Sequence, residues 1–233
     1  MAAGFRWTGL RASAAISLAI LLVGHASAEG FKFEQNPGAA QAAAEAAARQ
    51  QRINANISTP CRQAIKNKKI MVIIGEQQSN GYIVAQQQNY GPHFQVINAR
   101  LQALGLRTYT PEEIRKQIAQ AEIDAYFKND PDAALSASRR LGASFILRGL
   151  ITSESRVNLV MRVNQVSVGM GFTLTASNGR SVANAAATAA SYAGSDVRSM
   201  ALTLLNEQAD EVVSQLYSEY CRNAVPAAGN VGK

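Results

Sequence analysis

The chain has 233 residues, 47% of them hydrophobic, a formal net charge of +7, two cysteines and two histidines. Its basic residues are spread along the sequence without the dense Lys/Arg stripe and interleaved aromatics of a nucleic-acid binder, so that class is excluded. Two histidines leave little material for histidine-dependent catalysis or a dedicated zinc shell.

Residues 1–28 carry Arg6 and Arg11 but no acid, then an apolar run at Ala14–Val23, then Ala26-Ser27-Ala28. This three-part layout predicts a secretory signal cleaved after Ala28. The apolar run is shorter than the ~20 residues a spanning helix needs, which argues against a membrane anchor. No cysteine follows the site, which argues against a lipid anchor. Cleavage would remove Trp7 and His25 and leave a net charge of about +5 by simple counting. Export gives the remaining pair, Cys61 and Cys221, a natural reading as a disulfide joining the two ends of the folded region. Closing so long a loop is worth roughly 4–5 kcal/mol in the chain-entropy model.

Residues 29–60 form an Ala/Gln-rich arm. Ala39–Gln51, AAQAAAEAAARQQ, favours helix but offers no large apolar side chain to bury, so it predicts a frayed helix, a spacer or a partner-docking arm. Residues 222–233 read as a flexible tail. Between them, 61–221 is one domain with enough chain for a single core.

Ile70–Ile74 is a buried strand that stops at Gly75. A glutamine-rich polar loop follows, up to Pro92. Phe94, Ile97, Leu101 and Leu104 then share a helical face, closed by Gly105. Leu106–Tyr109 is a brief strand. Thr110-Pro111-Glu112-Glu113 supplies a cap, a proline at the first helical position and a glutamate three residues after the cap. Ile114, Ile118 and Ala121 continue that helix, and Asp130-Pro131 opens another that closes near Leu141-Gly142. Ser144–Ile151 is the next buried strand. From Val157 to Leu174 the residues alternate with period two, but the apolar phase slips at Asn164-Gln165, which marks either a bulge or a turn between two strands. Ser177-Asn178-Gly179-Arg180 is a hairpin turn. The return strand, SVANAAATAAS, has small residues on both faces and lets a helix lie close. Ser195-Asp196 caps that helix, and Val197, Met200, Ala201, Leu204, Leu205, Val212 and Leu216 line its buried side.

Candidate chemistry is sparse. Without His25, the only histidine is His93, with no G-x-S-x-G nucleophile motif nearby. It reads as a surface or capping residue at a helix start. Glu112, Glu113, Glu122 and Asp124 fall on one predicted helix as a solvated face, and Glu207, Asp210, Glu211 and Glu219 on the polar side of the last. Glu76 stands out because it follows a buried strand at its C-terminal edge; lacking a partner in the sequence, it reads as a residue that caps or tethers the loop. A phosphate loop would read G-x-x-x-x-G-K-[ST] and start a helix at once. GEQQSNG (75–81) is one residue too long, lacks the lysine, and is followed by Tyr82-Ile83-Val84-Ala85. Gly169 and Gly171 lie within strand alternation and are poor phosphate candidates.

The order of these parts, a strand ending Gly75-Glu76, a long loop, a helix ending LQALGL, then LGASFILRGLITSES, a hairpin at ASNGR and a final amphipathic helix, resembles a periplasmic α/β family. Its members include the TolB N-terminal domain, the middle domain of flagellar assembly protein T, and the globular parts of curli-secretion-channel-like and penicillin-binding-protein-activator lipoproteins. The resemblance covers about Lys68–Tyr220. It implies a mixed sheet of about five strands with helices packed on it (α/β, in the broader sense α+β) and a long C-terminal helix, to which residues 29–60 add the Ala-rich N-terminal helical arm. It also implies a non-enzymatic protein-docking module of an envelope complex, with no catalytic residues, cofactor or metal to carry over. The chain lacks the lipidation cysteine of the lipoprotein members, which favours a periplasmic form without a stable membrane anchor, and it shows one domain where flagellar assembly protein T has several.

The expectation is therefore a periplasmic accessory protein acting through an envelope protein complex, with homo-oligomerisation allowed. Its contact surfaces would be the Ala-rich arm, the exposed sheet edge and the loop bearing Glu76, Gln77, Gln78, Tyr82, Gln87, Tyr90 and His93. The rival is an exported ligand-binding protein or weak hydrolase using the Gly75–Pro92 loop. It requires Glu76 and His93 to meet within hydrogen-bond reach at a concave pocket.

Overall fold

The computed structural model describes residues 37–77, 83–85, 91–127, 130–193 and 196–224. The expected signal with its cleavage site at Ala28, and most of the expected tail, lie outside them. Helix α1 (Pro37–Ile57) and the single turn α2 (Arg62–Ile65) precede β1 (Lys69–Gln77). There follow β2 (Ile83–Ala85), α3 (Pro92–Ala103), β3 (Arg107–Thr108), α4 (Pro111–Gln117), α5 (Gln120–Phe127) and α6 (Pro131–Leu141). Three long strands, β4 (Phe145–Asn158), β5 (Val163–Ala176) and β6 (Ser181–Ala193), then lead into α7 (Val197–Asn223).

The sheet runs β2-β1-β4-β5-β6. β1 and β4 are parallel, and the other neighbours along this path are antiparallel. The two-residue β3 pairs in parallel with the start of β1 at Lys69 and Ile70, while β2 pairs with its end at Gly75–Gln77. Both occupy the edge of β1 away from β4. This is the α/β mixed sheet with a long C-terminal helix that the sequence implies. β1 is buried on both faces because helices cover both, hence its continuous apolar run.

Alternation divides that run between two cores. Ile70, Val72 and Ile74 face α3 and α7, together with Leu147, Ile151 and the even-numbered Val166–Leu174 of β5. Met71 and Ile73 face α4–α6, together with Ile146, Ile114, Ile123 and Ala134. The second core takes no residue from β5 or β6, and a Cβ added to Gly171 would meet nothing within 4 Å, so that part of the sheet has an open face. Gly149 is the opposite case. A Cβ there would lie 2.3 Å from the buried Phe172 ring, so the glycine lets the ring lie flat across the β4–β5 pair.

Local chemistry sets most boundaries. Thr110 and Glu113 form a complete capping box on α4. The Asp130 carboxylate accepts from the N–H groups of Asp132 and Ala133 at the start of α6. Gly105 and Gly142 terminate helices with φ of +95° and +66°, conformations that glycine adopts without a Cβ penalty.

Four expectations change. The helix expected to run from Pro111 through Ala121 is two helices, because Ile118 takes an extended conformation (φ −127°, ψ 124°) between α4 and α5. The acids 112–124 are therefore not one solvated face: Glu113 closes the capping box, and Glu122 pairs with Arg140. The connection after β1 is not loop throughout, since Ile83–Ala85 returns along the end of β1 as β2. The phase slip reflects a turn, but it lies at 159–162, before Asn164. Val157 belongs to β4 and Val163 to β5, with Asn164 opposite Val157. The Ala-rich arm is not a loose spacer over 37–57. Arg49, Ile53, Asn56 and Ile57 form a half-buried stripe, and α1 lies along α7, where Arg52 meets Glu211 at 2.5 Å and Asn56 donates to the Ser214 hydroxyl.

The ends of the domain are bonded together. Cys61 and Cys221 form a disulfide across 160 residues of sequence. Beside it the Tyr217 hydroxyl donates to the Thr59 carbonyl at 2.7 Å and the Tyr220 ring meets Phe145 edge-on at 5.1 Å. Burial raises the Tyr220 phenol above its usual pKa.

Candidate functional site

The end of β1 and the start of α3 place two side chains from separate elements in contact. Glu76 leaves the sheet one residue before β1 ends, and Pro92 begins α3 with His93 in its first turn. The Glu76 Oε1 to His93 Nδ1 distance is 2.7 Å, and both side chains are partly buried, 27% and 17% exposed. Glu76 thus has a partner, contrary to the reading of it as an unpartnered tether. His93 is a half-buried member of a pair and not a plain surface cap. A carboxylate can only accept, so Nδ1 carries the proton of this contact and the carboxylate fixes the ring's orientation.

The pair opens onto a cleft of about 860 Å³. Its far wall is the distal part of β4, where Ser153 and Ser155 follow Ile151 on the same face and take over where the core ends. Val166 of β5 forms part of the floor with Ala201 and Leu202 of α7. The first turn of α7 supplies Asp196, Arg198 and Ser199, and the Asp196 carboxylate is held by the Ser199 N–H at 2.9 Å. The result is an apolar floor beneath a rim of short hydroxyls, one capping carboxylate and one guanidinium. Ser153, Ser155, Asp196, Arg198 and Ser199 are all exposed.

Of the expected loop residues, Glu76 and His93 line this cleft, and Gln77 is the exposed last residue of β1. Gln78, Tyr82, Gln87 and Tyr90 lie outside the described residues. Ser153, Ser155 and the start of α7 are lining residues that the sequence reading did not assign. Their signal was available in the β4 alternation, where the face carrying Leu147 and Ile151 turns to serine. Among the described residues no group of three or more His, Cys, Asp or Glu side chains is placed to hold a metal ion.

A second hollow of about 480 Å³ lies between α1 and β6, beside Arg49, Arg52 and Glu211. Both guanidiniums pair with the single Glu211 carboxylate across the α1–α7 contact. The adjoining sheet edge is partly closed: the Asn184 N–H donates to Glu219, and the Val182 carbonyl accepts from Asn223. Glu211, Glu219 and Asp210 of α7 thus act as internal ties, Asp210 with Arg100 at 2.8 Å.

No family model matches the chain. No curated protein matches it. Among solved structures it is similar to the PelC dodecamer from Paraburkholderia phytofirmans, with 19% identity and a TM-score of 0.40 over 65% of this chain and 88% of that one. It is similar to lipoprotein GNA1162 from Neisseria meningitidis, with 13% identity and a TM-score of 0.37 over 60% of this chain and 96% of that one. The C-terminal domain of LpoB from Salmonella enterica gives 11% identity and a TM-score of 0.35 over 56% and 93%. Likenesses at this level carry no argument about function. Among the described residues, no helix is long and apolar enough to cross a membrane.

Proposed function

We propose that the protein is a non-enzymatic periplasmic accessory protein that supports assembly or regulation of a cell-envelope complex by holding a segment of a partner protein in the Glu76–His93 cleft. The observation that supports this reading is the make-up of the cleft. An apolar floor lies beneath an exposed rim of hydroxyls and opposite charges, which suits a side chain on a polar backbone. Ser153, Ser155, Asp196, Arg198 and Ser199 are exposed, so the rim is open to solvent. Glu76 and His93 also satisfy each other, so the pair stiffens the junction of β1 and α3 without any substrate.

A weak hydrolase or exported ligand-binding protein is the second reading, and it rests on that same contact. A carboxylate on Nδ1 orients an imidazole whose Nε2 can act as a general base. Against it, among the described residues no hydroxyl is hydrogen-bonded to His93.

Ser155→Trp, which fills the cleft from an exposed strand position, separates the two. Affinity purification of the wild-type chain from envelope extracts yields a partner whose recovery falls at least tenfold with Ser155→Trp and is unchanged by Ser167→Trp, on the opposite face of the sheet. Equal recovery with Ser155→Trp removes the cleft from the account. Turnover of a model ester that disappears with His93→Ala establishes the hydrolase instead.

A further inference from the structure

β4 and β5 run on past the end of β1. Gln77 is level with Thr152, and six more cross-strand pairs follow, from Ser153–Val168 to Asn158–Val163. The connection at their far end is a built turn. The Asn158 side-chain oxygen accepts from the N–H groups of Val160 and Met161 at 3.0 Å each, and the Arg162 N–H returns to the Asn158 carbonyl at 2.8 Å. Arg162 takes φ +52° to close it. The side chains held out on this turn are apolar: Leu159 is 86% exposed, Val160 93% and Met161 55%, with Val157 at 60% just behind.

Single exposed apolar residues are ordinary, but their concentration in one place is informative. Every strongly exposed large hydrophobic residue among the described ones lies at this end of the sheet; the fifth is Tyr192. Its position is given by register, because Arg156, Gln165 and Tyr192 form one row across β4, β5 and β6. The end therefore has an aliphatic tip, and behind it a row with a guanidinium at one side and a phenol at the other. Val160 is four residues beyond Arg156, which at about 3.3 Å per residue puts the row at most about 13 Å behind the tip. Interfacial elements enter a bilayer by about 5–10 Å, so an inserted tip leaves this row at headgroup level, where arginine and tyrosine are favoured.

We propose that the β4–β5 tip is a membrane-surface contact: Leu159, Val160 and Met161 enter the boundary between headgroups and acyl chains of an anionic phospholipid bilayer, while Arg156, Arg162 and Tyr192 lie among the headgroups. Charge selects this occupant. Arg156 and Arg162 flank the tip, and Glu154 is bonded to Arg156 at 3.0 Å without neutralising Arg162. Shape selects it as well, since a convex tip of aliphatic side chains needs a yielding surface and not a flat rigid one. This goes beyond the cleft reading and does not depend on it. It also holds the cleft close to the lipid, because Ser155 lies one row from Arg156.

The test is vesicle sedimentation of the full chain, wild type against Leu159→Asp/Val160→Asp and Arg156→Gln/Arg162→Gln. Vesicles of phosphatidylglycerol with phosphatidylethanolamine are compared with phosphatidylcholine alone. Wild type binds the anionic vesicles at least tenfold more tightly than the neutral ones. The aspartate pair loses at least tenfold on the anionic vesicles, and the glutamine pair loses the preference for them. Val160→Trp reports insertion independently, as a blue shift and quenching by brominated lipid read against the wild-type emission. Three outcomes overturn the proposal: no vesicle binding by wild type, equal binding by wild type and the aspartate pair, or an indole emission from Val160→Trp that vesicles leave unshifted. A fourth is a change in oligomeric state caused by the aspartate pair, which makes the tip a protein interface.

Discussion

Replacing Cys61 and Cys221 together by alanine lowers the free energy of unfolding by about 4–5 kcal/mol, read as a shift in the denaturant midpoint. The bridge spans 160 residues, so its removal returns nearly the whole loop-closure entropy of the domain to the unfolded chain. Domains of this kind have about 5–15 kcal/mol in total, which makes this about a quarter or more of the stability. The effect is not confined to the unfolded state. Cys61 is buried, its N–H donates to the Tyr217 hydroxyl at 3.4 Å, and the same hydroxyl donates to Thr59. Loss of the bridge therefore loosens the seam where α2 meets the last turns of α7. Reduction of the wild-type protein should reproduce the double-alanine midpoint. A midpoint unchanged by either treatment would show that the α2–α7 seam holds without its covalent tie.

Phe94→Ala costs about 3–5 kcal/mol, the second large effect. The ring is fully buried among residues of α7 and the sheet, directly after His93 in α3. Truncation removes its transfer free energy and leaves a cavity that a helix fixed by Arg100 to Asp210 and Asn206 closes only in part. Phe94→Leu keeps most of the volume and costs roughly 1–2 kcal/mol on the same reasoning. The pair of variants separates packing from the site: a loss under about 1 kcal/mol for the alanine variant means α3 is not anchored at this point.

Much of the fold is legible in the sequence because its signals are local. The run Ile70–Ile74 needs only a neighbour on each face to become β1, and Thr110 with Glu113, Asp130-Pro131 and Asn178-Gly179 act within four residues of themselves. The β4–β5 turn is hidden for a physical reason. Asn158-Leu159-Val160-Met161-Arg162 contains neither glycine nor proline, and its apolar residues continue the alternation of the strand before them, so the slip is displaced to Asn164. The helix break at Ile118 is equally silent, because Ile118 is buried in the core shared with Ile114 and serves that core in either conformation.

The site is less legible, because it is made by tertiary contact. Glu76 and His93 stand 17 residues apart and meet only because β1 ends where α3 begins. Ser153 and Ser155 look like ordinary solvent-facing strand residues until the first turn of α7 is set opposite them. Docking of α1 is also invisible to a hydrophobic pattern, since it relies on Ile53 and Ile57 with Arg49, Arg52 and Asn56 reaching Glu211 and Ser214. The final helix shows the same limit from the other side. Val197 and Met200 are only partly buried, while Tyr217 and Tyr220, absent from the expected stripe, are core.

The docking cleft is tested most directly by photo-crosslinking in intact cells, with the reactive residue placed in turn at Ser155 and at Ser167. Both positions are exposed, but they lie on opposite faces of the β4–β5 hairpin, since Ser155 faces Val166 in the cleft and Ser167 points to the open side. The expected result is one discrete adduct from Ser155 that Leu202→Arg abolishes, with none from Ser167. The same adducts from both positions, or none from Ser155, would contradict a docking cleft.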